Sequence, residues 1–291
     1  MDFLRGDENI EELIISMIDD FRKKVESEDI HSRVIDPFSS IIEASLNELD
    51  YENWIKAETA RQRQKTLQNA IGKLHQKLLG NIIGVVDLGV GNLVDVVCHE
   101  KKIIAEVKTK HNTVKKTNLD SVYDELEAAL ERDEYKDYTA YYVEIIPSKP
   151  LKIDETFTPV DNNTKVMKPE RDNIRIIDGI SFYELLTGDP HALEKMYNKI
   201  QDILTNSFDL QEPEQFNNLF SRAYNVKFLL KEKCPDISQI ESERNIELIE
   251  TQECSINRKL TWKHNDCEFE ATINQLKKEH FKCPSCSNRI F

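Results

Sequence analysis

Residues 89–113, GVGNLVDVVCHEKKIIAEVKTKHNT, have the pattern of a β-hairpin. Residues 92–98 form a short apolar run, 99–101 a polar turn, and 102–108 a second run containing Ile103, Ile104, Ala105 and Val107. Side chains alternate faces along a strand, so Glu106 and Lys108 share one side while Val107 takes the other. Pairing of the two strands brings Asp95 beside Glu106. Two carboxylates and one ammonium converging at a sheet edge are the parts needed for metal-assisted phosphodiester hydrolysis. The carboxylates hold a divalent cation against the phosphate, and the lysine orients or polarises the attacking water.

Glu-x-Lys alone says little in a chain that is 32% charged, where a solvated strand face is the bland alternative. Together with Asp95, however, Asp95…Glu106-Val107-Lys108 resembles the Asp…Glu-x-Lys signature of the PD-(D/E)XK nuclease superfamily. The flanks resemble something narrower. Gly72-Lys-Leu-His-Gln-Lys-Leu-Leu-Gly80, Lys108-Thr-Lys-His-Asn-Thr113 and Arg175-Ile-Ile-Asp-Gly-Ile-Ser-Phe-Tyr-Glu-Leu-Leu-Thr-Gly188 are similar to the type II restriction endonucleases that cut GGNCC. The resemblance covers residues 60–205. It implies an α/β core with a central mixed sheet flanked by helices, and a type II deoxyribonuclease acting on double-stranded DNA. Asp95 and Glu106 would ligate Mg²⁺, Lys108 would position water, and the products would carry 5′-phosphates. A palindromic site implies a homodimer, and a restriction system implies a cognate DNA methyltransferase. In such folds a helix leads into the first core strand and its polar side chains can reach the metal. That makes Gln76 a supporting candidate, with His75 a weaker one.

The rest of the chain bounds these expectations. Its 291 residues suffice for a large domain plus a small one. Apolar content is 39% and mean hydropathy −0.55, no stretch approaches a membrane span, and the first residues, MDFLRGDENIEE, lack a signal-peptide pattern. The expected location is the cytoplasm. The net charge of −14 argues against nonspecific coating of nucleic acid. It leaves room for a local phosphate-facing patch, and Lys101, Lys102, Lys108, Lys110, Lys115 and Lys116, with His111 and Asn112 among them, surround the acidic pair.

In chain order, residues 8–27 predict an amphipathic helix with Ile10, Leu13, Ile14, Met17, Ile18 and Phe21 on one stripe. Pro37 opens a second helix, and residues 52–79 a longer one, interrupted near Gly72. Arg61, Arg63 and Lys65 lie along it, more simply read as a solvated face than as DNA contacts. Five of the eight glycines fall between Gly72 and Gly91, marking tight turns. Gly89-Val-Gly91 lacks the third glycine and following helix of a dinucleotide loop. Asp87 rivals Asp95 as first carboxylate, but a loop position is expected for it. A helix capped by Thr117, a buried strand over 138–146 and an irregular proline-containing segment over 147–172 follow. Arg171 and Arg175 flank the strand at 174–177 and are candidate guanine readers. Helices are expected over 181–186, 190–204 and 213–233, then a polar linker over 234–245.

The tail carries an independent signal. His264-x-x-Cys267 is followed by Cys283-Pro-Ser-Cys286, two ligand pairs of the spacing that suits tetrahedral zinc. A piece this small needs more than burial to hold it, and Trp262, Phe269, Ile273, Leu276 and Phe281 supply only a small core. The segment resembles a treble-clef zinc knuckle, with Zn²⁺ structural because four protein ligands leave no open position. Cys98, Cys234 and Cys254 are read as packed thiols. The resulting division is a helical region over 1–70, a nuclease core over 71–233 and a zinc knuckle over 246–291. The alternatives are a repair or mobile-element nuclease of the same fold, or a non-catalytic zinc-containing binding module.

Overall fold

The computed structural model describes residues 1–27, 29–32, 34–89, 91–225, 236–244, 246–249, 260–264 and 267–277. Its centre is a six-stranded mixed sheet of β1 (Val85–Asp87), β2 (Val96–Cys98), β3 (Ile103–Lys110), β4 (Thr139–Ile146), β5 (Asp154–Thr156) and β6 (Ile174–Asp178), in the order β1-β2-β3-β4-β6-β5. The expected hairpin is present: β2 and β3 pair antiparallel with Val97 opposite Ile104. Its first strand starts at Val96 rather than 92, because the left-handed backbone at Gly89 (φ 70°) and Gly91 (φ 98°) leads into bends over 91–95. Asp87, expected in a loop, ends β1 and pairs with Val96.

β3, β4 and β6 are parallel, and parallel neighbours require a crossover. Helix α4 (Leu119–Leu130) provides it between β3 and β4, packing Val122, Tyr123, Leu126, Ala129 and Leu130 on one sheet face against Ile104, Ala140, Tyr142 and Ile174, while β4 reaches β6 through β5 and irregular chain. The other face, with Ala105, Val107, Tyr141, Val143 and Ile177, is covered by α1 (Asp7–Glu26), α3 (Tyr51–Gly80), α5 (Gly179–Thr187) and α6 (Ala192–Phe208). The central sheet flanked by helices thus matches the α/β core expected from the sequence.

α3 runs unbroken through Gly72, where helix expectations placed an interruption; a Cβ at that position would meet only Thr109 Oγ1 at 3.8 Å. Thirty residues make it about 45 Å long. Its first half carries α2 (Pro37–Leu46) at the tip, capped by the Asp36 carboxylate and opened by Pro37. α5 begins where Asp178 accepts from Ser181 N (3.1 Å) and Ile153 N (2.7 Å). Directly after it, Gly179 lies so close to β4 that a Cβ would run into the Ile145 carbonyl and stand 3.0 Å from its Cα.

α7 (Pro213–Tyr224) follows; the expected continuation to 233 lies largely outside the described residues. Where a linker was expected, α8 (Asp236–Arg244) forms and contributes Ile237 and Ile240 to a small separate core. That core also holds Trp262 and Leu260 of β8 (Leu260–His264), Phe269 of β9 (Cys267–Ala271), and Ile273 and Leu276 of the short α9 (Ile273–Leu276). β7 (Glu247–Leu248) completes a three-stranded antiparallel sheet. No helix among the described residues is long and apolar enough to cross a membrane.

Candidate active site

The sheet register explains how three distant residues meet. β2–β3 pairing ends at Val96 opposite Ala105. One step further, Asp95 N donates to Ala105 O (2.9 Å) and Asp95 Oδ2 accepts from Val107 N (2.8 Å). The carboxylate thus takes over a rung that the strand's backbone no longer supplies. Strand alternation then puts Asp95, Glu106 and Lys108 on the face that carries α4, near the carboxyl ends of the parallel strands, where open α/β sheets place their sites. Lys108 Nζ donates to Glu106 Oε1.

The electrostatics are those of crowded acids. Burial, then the negative charge of Asp95, push the Glu106 carboxyl up to about 7, with Lys108 pulling the other way. Burial works to lower the Lys108 pKa, but the hydrogen bond to Glu106 and the charges of Glu106, Asp95 and Glu125 outweigh it and hold the ammonium protonated. Lys108 is therefore a fixed positive charge here and not a free base. Two carboxylates form a hard oxygen donor set, and a cation between them would relieve the repulsion that raises Glu106, so the residues fit a divalent ion such as Mg²⁺. Among the described residues no group of three or more His, Cys, Asp and Glu side chains converges on a metal position. Mg²⁺ commonly completes its shell with water and substrate phosphate instead.

Sequence reasoning missed two acids here. Glu144 of β4 is paired in register with Lys108 and is 8% exposed; burial pushes its carboxyl up, opposed by the nearby His111. Glu125 on α4 adds its charge to Glu106 and Lys108. The signal for Glu144 was present: a carboxylate inside an otherwise apolar strand is rarely buried without purpose.

The other candidates are placed as follows. Asp87 lies on the opposite sheet face, against Gly80 of α3, and accepts from Gly89 N at 2.9 Å. Gln76 is half-buried on α3, which packs on that same opposite face; no hydrogen bond links it to the carboxylates among the described residues. Lys110, the last residue of β3, and His111, Asn112, Lys115 and Lys116 on the connection that follows it are all exposed. Arg171 pairs with Glu127 (2.6 Å), and Arg175 with Asp154 (2.6 Å), so either would have to exchange a carboxylate to meet a base. In the tail, His264 and Cys267 face each other across the β8–β9 hairpin, and the buried His264 Nδ1 has no hydrogen-bond partner among the described residues. Cys283, Cys286, Cys234 and Cys254 lie outside the described residues, while Cys98 is packed on β2.

Comparison with known proteins gives this arrangement its context. The family model for the Eco47II restriction endonuclease matches residues 1–208. The type II restriction enzyme Eco47II of Escherichia coli is 41% identical over 204 residues, 66% of this chain and 85% of that protein. The type II restriction enzyme Sau96I of Staphylococcus aureus is 30% identical over 220 residues, 73% of this chain and 83% of that protein. The matched span contains the whole sheet, both carboxylates and Lys108, and with them the chain belongs to the Eco47II family of restriction endonucleases, type II site-specific deoxyribonucleases.

Proposed function

We propose that the protein hydrolyses both strands of a short palindrome, GGNCC or a close relative, in a PD-(D/E)XK-type site built on Asp95, Glu106 and Lys108. The observation that carries this reading is the convergence of two carboxylates and a charged lysine at the strand ends of a restriction endonuclease family chain. Enzymes of this type generally use Mg²⁺; held by Asp95 and Glu106, it would neutralise charge on the phosphate and favour formation of the nucleophile. Lys108 holds its ammonium at Glu106, where it can orient water toward phosphorus. Water oxygen bonds to phosphorus, the P–O3′ bond breaks, the water proton passes to solvent and O3′ takes a proton. The products are a 3′-hydroxyl and a 5′-phosphate. Gln76, on α3 across the sheet from Asp95 and Glu106, is assigned no part in holding the metal. The exposed Lys110, His111, Asn112, Lys115 and Lys116 would bind phosphates, and Arg171 and Arg175 would read bases after exchanging their ion pairs.

A palindrome read symmetrically calls for a homodimer, and a cognate methyltransferase would protect the host's own sites. Residues 1–70, 71–233 and 246–291 would act as helical region, nuclease core and zinc knuckle. His264 and Cys267, opposed on their hairpin with a buried ring nitrogen that finds no partner among the described residues, fit one half of a structural Zn²⁺ site that Cys283 and Cys286 would complete. The test is a digest of sequenced plasmid with Mg²⁺ and with EDTA, followed by end mapping. Mg²⁺-dependent breaks at GGNCC with 5′-phosphates are expected. Breaks at a longer consensus would replace the site while leaving the chemistry, and no metal-dependent cleavage would remove both.

A further inference from the structure

The amino-terminal arm carries an apolar face that the fold leaves uncovered. α2 buries none of its residues. Phe38, Ile41, Ile42 and Leu46 are 75, 68, 58 and 78% exposed, and their spacing sets them along one side of the helix. Tyr51, at the start of α3, and Val34, just before α2, extend the patch at 70 and 102% exposure. The one charged side chain of α2, Glu43, is turned away into the arm: it takes two hydrogen bonds from Arg61 (2.7 and 2.8 Å) and one from Trp54 Nε1 (3.3 Å). The face is therefore neutral as well as apolar, and the exposed Asp36, Glu48, Asp50 and Glu52 lie about it.

We propose that this face joins two copies of the chain into an isologous dimer, α2 against α2. Neutrality and the acidic surroundings disfavour DNA and anionic lipid as occupants. Two chains of net charge −14 repel over most of their surfaces and can meet closely only where the surface is uncharged. The six side chains expose on the order of 700 Å², near the ~800 Å² per partner of a standard interface, and a two-fold axis lets the same residues serve both sides. The choice of a second copy as occupant rests on the reading of a nuclease that acts symmetrically on both strands.

The experiment is sedimentation equilibrium on the full chain without DNA, run beside the Mg²⁺-dependent digest. Wild type is expected at twice the 33.9 kDa chain mass. Ile41→Glu with Leu46→Glu is expected at the single mass, with circular dichroism and Trp54 emission unchanged because neither position packs on the core. Phe38→Ser with Ile42→Ser, a milder pair, should raise the dimer dissociation constant about tenfold or more. A monomeric wild type, or a doubly charged variant that folds and stays dimeric, overturns the proposal. A wild type that cuts DNA as a monomer removes the interface and keeps the nuclease. One that dimerises through α2 but never cuts removes the nuclease and keeps the interface.

Discussion

Asp95 has two tasks that its two oxygens divide. Oδ2 is committed to Val107 N, which fixes the carboxylate relative to β3 and leaves Oδ1 for the site. Asp95→Ala would therefore lose both the proposed metal ligand and the anchor that aims it. Single-turnover cleavage is expected to fall on the order of 10³-fold for Asp95→Ala, Glu106→Ala and Lys108→Ala. DNA binding, read by fluorescence anisotropy, should stay measurable because register on the duplex comes from other contacts. Asp87→Ala is the control and should cut within about threefold of wild type, since Asp87 faces α3 across the sheet. If Asp87→Ala were dead and Asp95→Ala active, the first carboxylate would move to the other face. The triad was legible in the sequence because strand alternation alone sorts Glu106 and Lys108 from Val107. Glu144 was legible only as a carboxylate inside an apolar strand; its place opposite Lys108 is a parallel register created by a crossover, which no local pattern encodes.

At the scale of elements, the hairpin, α1, α4 and β4 could be read from periodicity. The misreadings fall where tertiary packing overrides a local signal. Gly72 weakens a helix by about 1 kcal/mol, too little to interrupt one that packs along a sheet. β1 is three residues hemmed by glycines, so it has no period of its own and exists only through its pairing to β2. α8 sits in polar sequence and is held by Ile237 and Ile240 against a core that lies later in the chain. The seam between α3, β4, α5, α6 and α7 holds a further element-scale property. His75 borders an apolar cavity of about 300 Å³ with Ile145, Tyr183, Met196 and Tyr224, and burial drives its imidazole from 6.5 down to about 4. The folded form then resists a proton that the unfolded chain accepts, so stability is lost as pH falls from 6.5 toward 4, by up to about 3 kcal/mol. Thermal melts at pH 7 and 4.5 should show that loss, and His75→Leu should reduce it by several degrees of Tm relative to wild type. An unchanged pH difference in the variant would show that His75 does not carry it.

For the whole molecule, the family match ends at residue 208, and the small carboxyl-terminal core lies beyond it. Freshly purified, unchelated protein is expected to hold close to one zinc per chain by elemental analysis. Binding at such sites is worth on the order of 10 kcal/mol and is also folding energy for the segment. Cys283→Ser, or a strong chelator, should expose residues beyond about 245 to protease while the nuclease core resists it. Zinc-free protein with an equally resistant tail would dispose of the knuckle. A different consequence follows from the absence of room at Gly179. Any side chain there drives α5 off β4, and Gly179→Ala is expected to destabilise the molecule by about 1–3 kcal/mol while touching no residue of the cleavage site. A protein so altered should fold at low growth temperature and fail at high. In a living cell that is a conditional allele: phage are restricted in the cold and plate freely in the warm, and a host lacking protective methylation survives only while warm.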